Sequence, residues 1–159
     1  MADALNVAGF SIFHYGYPVD DMDVGKERYA QAMGLEWTSE DRHVVAEVLT
    51  QDGPTEIDIM CTFSVGDGPY IELIQDLSGS LSGLPSLNHV GAWVEDFDAA
   101  TEQLESQGMP MCVRGNDPLN GGNFAYHVGL SGTLIELADI RLKPDFDLWI
   151  SGNLRQADS

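Results

Sequence analysis

The clearest chemistry in this sequence is offered by four residues, His14, Glu72, His89 and Glu136, which fall into two like pairs. His14 opens the segment HYGYPVDDMD and His89 opens HVGAWVEDFD, so both read H-x-G-x-x-V-x-D-x-D. Glu72 stands inside Tyr70-Ile71-Glu72-Leu73-Ile74, and Glu136 inside Leu134-Ile135-Glu136-Leu137-Ala138. A carboxylate within an apolar strand is costly unless it is paired, hydrogen-bonded or bound to a metal. A single strand histidine is ordinarily a satisfied core residue, and a single strand glutamate ordinarily sits on a solvated edge. The same two types at matching positions in two repeats need a common cause. Two imidazoles and two carboxylates converging on one concave surface make a hard-to-borderline site for one divalent ion, Zn, Ni, Co, Mn or Fe(II).

The elements that must position these groups also come in pairs. Each H-x-G segment is followed by a helical pattern, 23 to 33 and 98 to 107, with Asp23 and Asp98 as expected N-caps and Gly34 and Gly108 at the C-terminal ends. Two β-rich runs then flank Gly53-Pro54 within residues 41 to 65, and the counterpart at 109 to 130 is shorter. Each half therefore reads strand, helix, then two or three strands. We assign a single domain over 1–159: module 1 at about 8–76, a Gly/Ser-rich linker at 77–85, module 2 at about 86–140 and an extension at 141–159. In the extension, Phe146, Trp149 and Ile150 are expected to pack across the body or a partner subunit, and residues 154–159 to fray.

Strand alternation indicates which side chains share a face. Val90, Ala92 and Val94 form an apolar row for the helix-packed side, leaving Leu87, His89, Gly91 and Trp93 for the other. The same parity groups Phe10 and Ile12 with His14 and Gly16, and Tyr70 with Glu72. Phe10, Tyr70 and Trp93 are thus the expected lining of a substrate pocket. If Ser131-Gly132 forms a two-residue hairpin turn, His127 faces Glu136 and can orient it or relay a proton.

The H-x-G-x-x-V-x-D-x-D opening and the closing I-E-L strand resemble the vicinal oxygen chelate superfamily over residues 10 to 140. That resemblance implies an α+β fold of two paired βαβββ modules forming a cupped mixed sheet with helices on the outer face. It implies metal ligands on the first and last strands of each module, which fall on His14, Glu72, His89 and Glu136. Y-I-E-L-I-Q-D at 70–76, followed by the linker, is most similar to the branch of methylmalonyl-CoA epimerase-like proteins. That branch usually carries Gln where Glu72 stands, and H-V-G-L-S-G at 127–132 replaces the D-P-D-G turn frequent in glyoxalase I. A homodimer is implied by the resemblance alone, and superfamily members build the cup within one chain or across two.

The resemblance leaves three functions. The first is a metal-dependent isomerase or epimerase, or a related lyase or cyclase, acting on a small carbonyl compound through a metal-stabilised enolate, with Glu72 or Glu136 moving the proton. The second is an Fe(II) extradiol-type dioxygenase using His14, His89 and Glu136, in which Glu72 occupies a position the mechanism leaves open. The third is a non-catalytic drug- or metabolite-binding protein. Composition narrows the partners: 26 acidic against 7 basic residues give a net charge of −19, which repels nucleic acid and anionic membrane surfaces. The seven bases form no evident cluster for CoA phosphates, favouring a small carbonyl or polyketide-like substrate. The N-terminus shows no secretory-signal pattern, and Cys61 and Cys112 stand in no metal or disulfide spacing, so a cytoplasmic location is expected.

Overall fold

In the first half of the chain the repeat unfolds as β1 (Ser11–Pro18), α1 (Met22–Met33), β2 (Arg42–Thr50), β3 (Gly53–Phe63) and β4 (Tyr70–Asp76). The second half gives β5 (His89–Val94), α2 (Phe97–Ser106), β6 (Met111–Asn116), β7 (Asn123–Val128) and β8 (Leu134–Asp139). A short 3-10 turn, Ile140–Leu142, leads into α3 (Lys143–Ile150). The computed structural model describes residues 8–117 and 121–152, so the end expected to fray lies outside the described residues.

Both outer helices begin earlier than the sequence reading placed them. Met22 and Phe97 are buried at the first helical positions. The caps are therefore the earlier aspartates of the motif: Asp21 accepts a hydrogen bond from the Val24 backbone N–H at 2.9 Å, and Asp96 one from Ala99 at 3.0 Å. Asp23 and Asp98 fall in the first turn instead, where their charge meets the positive end of the helix dipole.

The eight strands follow the order β1-β4-β3-β2-β6-β7-β8-β5 and close on themselves. Within each module the first and last strands run parallel, β1 with β4 and β5 with β8, and the remaining neighbours are antiparallel. The modules meet antiparallel along β1 and β5, whereas β2 and β6 touch only at Leu49↔Arg114 and Thr50↔Val113. The result is the expected α+β architecture, a mixed sheet curved into a barrel-like cup. It has one apolar core inside the cup and another, containing Val94, Phe97, Ala100, Leu104 and Leu137, beneath α2.

The third helix packs on the inside of the cup, one of the places open to the apolar residues of the extension. Phe146 and Trp149 belong to the core inside the cup. Phe146 meets Phe13, Phe63 and Trp93 edge-on, with ring centroids 5.1, 4.9 and 5.4 Å away. Trp149 Nε1–H donates to the Glu40 carbonyl at 2.9 Å, and the Arg42 guanidinium donates to Asp145 at 2.7 Å. A helix of eight residues has little stability of its own. Burial of two large aromatic side chains, worth roughly 1.5–3 kcal/mol each, is what seats it in the cup.

Candidate metal centre

The site is built where the two modules join. In the antiparallel β1–β5 pair, His14 lies opposite Gly91 and Gly16 opposite His89. A Cβ added to Gly91 would fall 1.9 Å from His14 Cε1, and one on Gly16 would fall 2.0 Å from His89 Cε1. The glycine of each H-x-G motif thus provides the space that the other module's imidazole fills. On the outer flanks, Gly16 is also level with Glu72 on β4, and Gly91 with Glu136 on β8. Two cross-sheet rows result, Glu72–Gly16–His89 and His14–Gly91–Glu136. In each row a glutamate and a histidine reach toward one another across a glycine.

All four donor groups come from one chain, and one ligand atom from each lies within 4.8 Å of the others. His14 Nε2 is 3.0 Å from His89 Nε2, 3.2 Å from Glu72 Oε2 and 3.1 Å from Glu136 Oε2. His89 Nε2 is 3.2 Å from Glu136 Oε2 and 3.8 Å from Glu72 Oε2. One ion with bonds of about 2.1 Å would set donor separations of about 3.0 Å at right angles and about 3.4 Å in a tetrahedron. His89 Nδ1–H donates to the Leu87 carbonyl at 2.9 Å, which leaves the neutral ring's lone pair on the inward Nε2. Glu136 Oε2 is buried with no hydrogen-bond partner among the described residues, despite its closeness to both imidazoles. These atoms aim at a shared point more than at one another, and the donor set fits a divalent ion.

Charge bears on the same point. The His14 and His89 side chains are 1% exposed, Glu72 7% and Glu136 16%. Burial opposes ionisation of Glu136, but the neighbouring imidazoles of His14 and His89 outweigh it and hold the carboxyl well below the usual carboxylate range. Burial likewise opposes the His89 imidazolium, yet contact with Glu136 and Glu72 raises its pKa well above the ordinary value. Two carboxylates packed this tightly require positive charge between them, supplied by protons or by a metal that displaces them.

Beside the centre lies a cavity of about 410 Å³, whose lining includes three of the four donors, His14, Glu72 and Glu136, together with Trp93, one of the residues expected there. Three other expectations are corrected. Phe10 packs with the core beneath α2, outside the cavity, because the β1–β5 register slips between Ile12 and His14. This bulge breaks the alternation and turns Phe13 into the cavity in Phe10's stead. Tyr70 is level with His14 but stands behind the lining, its ring 5.5 Å from that of Phe146. His127 pairs with Ile135 and does not face Glu136. The β7–β8 connection runs from Gly129 to Thr133, and this longer loop moves the register by one residue and exchanges the faces. His127 is fully buried on the opposite side, its Nδ1–H donating to the Met109 carbonyl at 2.8 Å.

The residue opposite Glu136 is Tyr126, which lines the cavity with its ring 5.4 Å from that of His89. Burial, then the Glu136 and Glu72 carboxylates, raise its phenol pKa well above the ordinary value, so it remains a donor. Cys61 also lines the cavity, and burial followed by the same two carboxylates push its thiol up and keep it protonated. Neither residue carries a sequence signal apart from its register, which only the true loop length discloses.

A family model described as Glyoxalase/Bleomycin resistance protein/Dioxygenase superfamily matches residues 13–126. No curated protein matches the chain by sequence. Among solved structures, the chain is similar to a variant of Streptomyces coelicolor methylmalonyl-CoA epimerase in complex with 2-nitronate-propionyl-CoA, at 15% identity and TM-score 0.53, over 80% of this chain and 95% of that one. A hypothetical protein from Bacillus halodurans C-125 gives 15% identity and TM-score 0.54, over 82% and 94% of the two chains. A glyoxalase/bleomycin resistance protein/dioxygenase superfamily member from Vibrio splendidus 12B01 gives 11% and 0.51, over 82% and 98%. At these identities the likeness is one of fold.

Proposed function

The chain belongs to the glyoxalase/bleomycin resistance protein/dioxygenase superfamily, and from that premise we propose that it is a metal-dependent isomerase or epimerase, or a related lyase or cyclase, acting on a small carbonyl compound by way of an enolate. The observation that carries this reading is the convergence of four donors, two of them carboxylates, beside a cavity that three of them line along with several aromatic residues. His14, Glu72, His89 and Glu136 would hold a divalent ion, which when bound would supply Lewis-acid polarisation of the substrate carbonyl. Glu136, the most exposed of the four, is the group placed to take a proton from the carbon beside that carbonyl and return it. Glu72, more deeply enclosed between β1 and β3, remains a holding ligand. Tyr126, across the strand from Glu136, donates a hydrogen bond to the substrate oxygen as charge develops there.

Glu72 as a fourth donor weighs against the oxygenase reading, which leaves that position open for oxygen and substrate. The chain acts as a single domain, since the centre draws one histidine and one glutamate from each module. A homodimer remains our expectation of assembly, although the metal centre needs no residue from a second copy. We assign it to the cytoplasm; the buried, unpaired Cys61 and Cys112 accord with a reducing compartment. No helix among the described residues is long and apolar enough to cross a membrane.

The test is elemental analysis of protein purified without chelator or a metal-binding tag, beside the Glu72→Gln variant, followed by solvent deuterium exchange into candidate ketones. Near-stoichiometric Zn, Ni, Co or Mn, reduced in the variant, together with metal-dependent exchange, is the expected result. Iron unaffected by the variant would promote the oxygenase. A folded protein that takes up no metal on reconstitution would leave only a binding function.

A further inference from the structure

The cavity beside the four-donor cluster is bounded at one end by the linker. There the Asp76 carboxylate accepts the backbone N–H groups of Gly79 at 3.0 Å and Leu81 at 3.1 Å, and this turn directs the buried Leu81 side chain into the core inside the cup. Leu81 and Val113 line the cavity and also a second one, of about 290 Å³, beneath the linker, so these two side chains form the partition between them. The seam between the modules is closed at the same end by the pairs Leu49↔Arg114 and Thr50↔Val113. Toward the other end β2 and β6 part. Arg42 to Ala46 are successive residues of β2, and all of them line the cavity. Successive side chains of a strand point to opposite faces, so it is the edge of β2, parted from β6, that faces the cavity there. The mouth therefore lies at the end of the barrel where β2 begins.

Helix α3 lies across that mouth. It is joined to the sheet by the turn Ile140–Leu142, which follows β8 directly, and it reaches the opposite rim at β2. Two contacts fasten it there: Asp145 accepts from the Arg42 guanidinium at 2.7 Å, and Trp149 Nε1–H donates to the Glu40 carbonyl at 2.9 Å. The Arg42 guanidinium carbon also stands 4.3 Å over the Trp149 ring. On the inward side Leu142, Asp145, Phe146 and Trp149 line the cavity at helical spacing. The Phe146 ring rests on Phe13 and Phe63, whose rings lie 4.3 and 5.2 Å from that of His14. The fastening is light. The ion pair is 31% and 36% exposed, a setting in which such pairs contribute little. Leu142 at the N-cap has no polar group to offer the first turn, and eight residues do not hold a helix on their own.

We propose that α3 is a hinged lid. It turns on Ile140–Leu142, is latched to β2 through Asp145–Arg42 and Trp149–Glu40, and admits small molecules to the cavity when Phe146 and Trp149 withdraw. While the lid is down, the donors facing the cavity are shielded from bulk water. This device goes beyond the enolate reading and does not depend on it.

Two buried thiols already in the chain report on the lid. Cys61 lines the cavity beneath α3, and Cys112 the one beneath the linker. The experiment exposes the protein as purified to N-ethylmaleimide, an uncharged reagent, and follows each thiol separately by peptide mass spectrometry. It compares the unsubstituted chain with Asp145→Asn, which removes the ion pair, with Trp149→Phe, which removes the indole N–H but keeps a ring, and with the double variant. Each single variant is expected to speed Cys61 labelling by about threefold and the double variant by about tenfold, with the Cys112 rate unchanged, as two latches on one opening equilibrium require. An unchanged Cys61 rate in the double variant would mean that the reagent enters without α3 moving, and would overturn the lid. Equal acceleration of both thiols would overturn it as a general loosening of the fold. Acceleration by Asp145→Asn but not by Trp149→Phe would overturn it as well, since Arg42 acts electrostatically on the Cys61 thiol. Labelling needs neither metal nor turnover, so the lid and the enolate reading stand or fall separately.

Discussion

Replacing Gly91 with alanine should disable the metal centre without touching a ligand. The added Cβ would fall 1.9 Å from His14 Cε1, where an ordinary contact needs about 3.4 Å. The His14 ring must therefore retreat by about 1.5 Å, while a metal–nitrogen bond tolerates only about 0.2 Å. Disturbing residues that merely orient a ligand costs roughly 10–100-fold in metal affinity, so displacing a ligand ring should cost at least about 100-fold, or about 2.7 kcal/mol. Competition with a chelator of known affinity measures this directly. Gly83→Ala serves as the control, since its Cβ meets nothing within 4 Å and its backbone is unstrained. Alanine also suits a strand better than glycine, so circular dichroism of the metal-free variant should show the fold retained. Were Gly91→Ala to fold and bind metal as tightly as the unsubstituted chain, His14 would not be a ligand, and the account of the H-x-G motif would fail with it.

Glu136→Gln should lower kcat for proton exchange by about 10²–10⁴-fold, whereas Glu72→Gln should act first on metal content; steady-state kinetics with elemental analysis separate the two. His127→Leu should leave metal content and kcat unchanged and alter stability by about 1 kcal/mol, read from urea unfolding, because its side chain lies behind the sheet. Loss of activity there would restore it to the site. In the metal-free protein, the raised pKa of His89 contributes stability that is full below about pH 6.5 and lost as pH rises through the folded value. The lowered pKa of Glu136 contributes stability present above about pH 4.5 and lost as pH falls. Urea midpoints of the metal-free protein should therefore peak in the mildly acidic range and decline above neutrality, and saturating metal should remove that decline. A flat profile without metal would contradict the described charge pairing.

The convergence of the four donor groups and the pairing of the modules were legible because a duplication marks positions twice. His14 with His89 and Glu72 with Glu136 stand at matching places in strands whose alternation is sound near the motif. The cavity lining was less legible, since parity carries no farther than the next irregularity. A bulge beside His14 exchanged Phe13 for Phe10, and a hairpin loop longer than two residues exchanged Tyr126 for His127. That the extension would pack on the body or a partner was legible from Phe146, Trp149 and Ile150, but where it would seat was not. Phe146 and Trp149 mark an apolar face, but the inner wall that receives them is assembled from residues distant in sequence, including Phe13, Phe63 and Trp93.

The pairing of β1 with β5 also explains why the motif holds a glycine two residues after its histidine. The atoms that a Cβ on Gly16 would meet first all belong to His89 of the other module, not to its own His14. Once the copies pair antiparallel, the two-residue spacing sets each histidine opposite the other's glycine, and both rings can turn inward across a backbone without side chains. A register shift of two residues would bring His14 level with His89 and crowd both rings on one line of the sheet. The H-x-G spacing therefore encodes the register between modules as well as the two imidazoles, and the four-donor cluster depends on the pair: each half supplies one imidazole, one carboxylate and the gap that its partner's imidazole occupies.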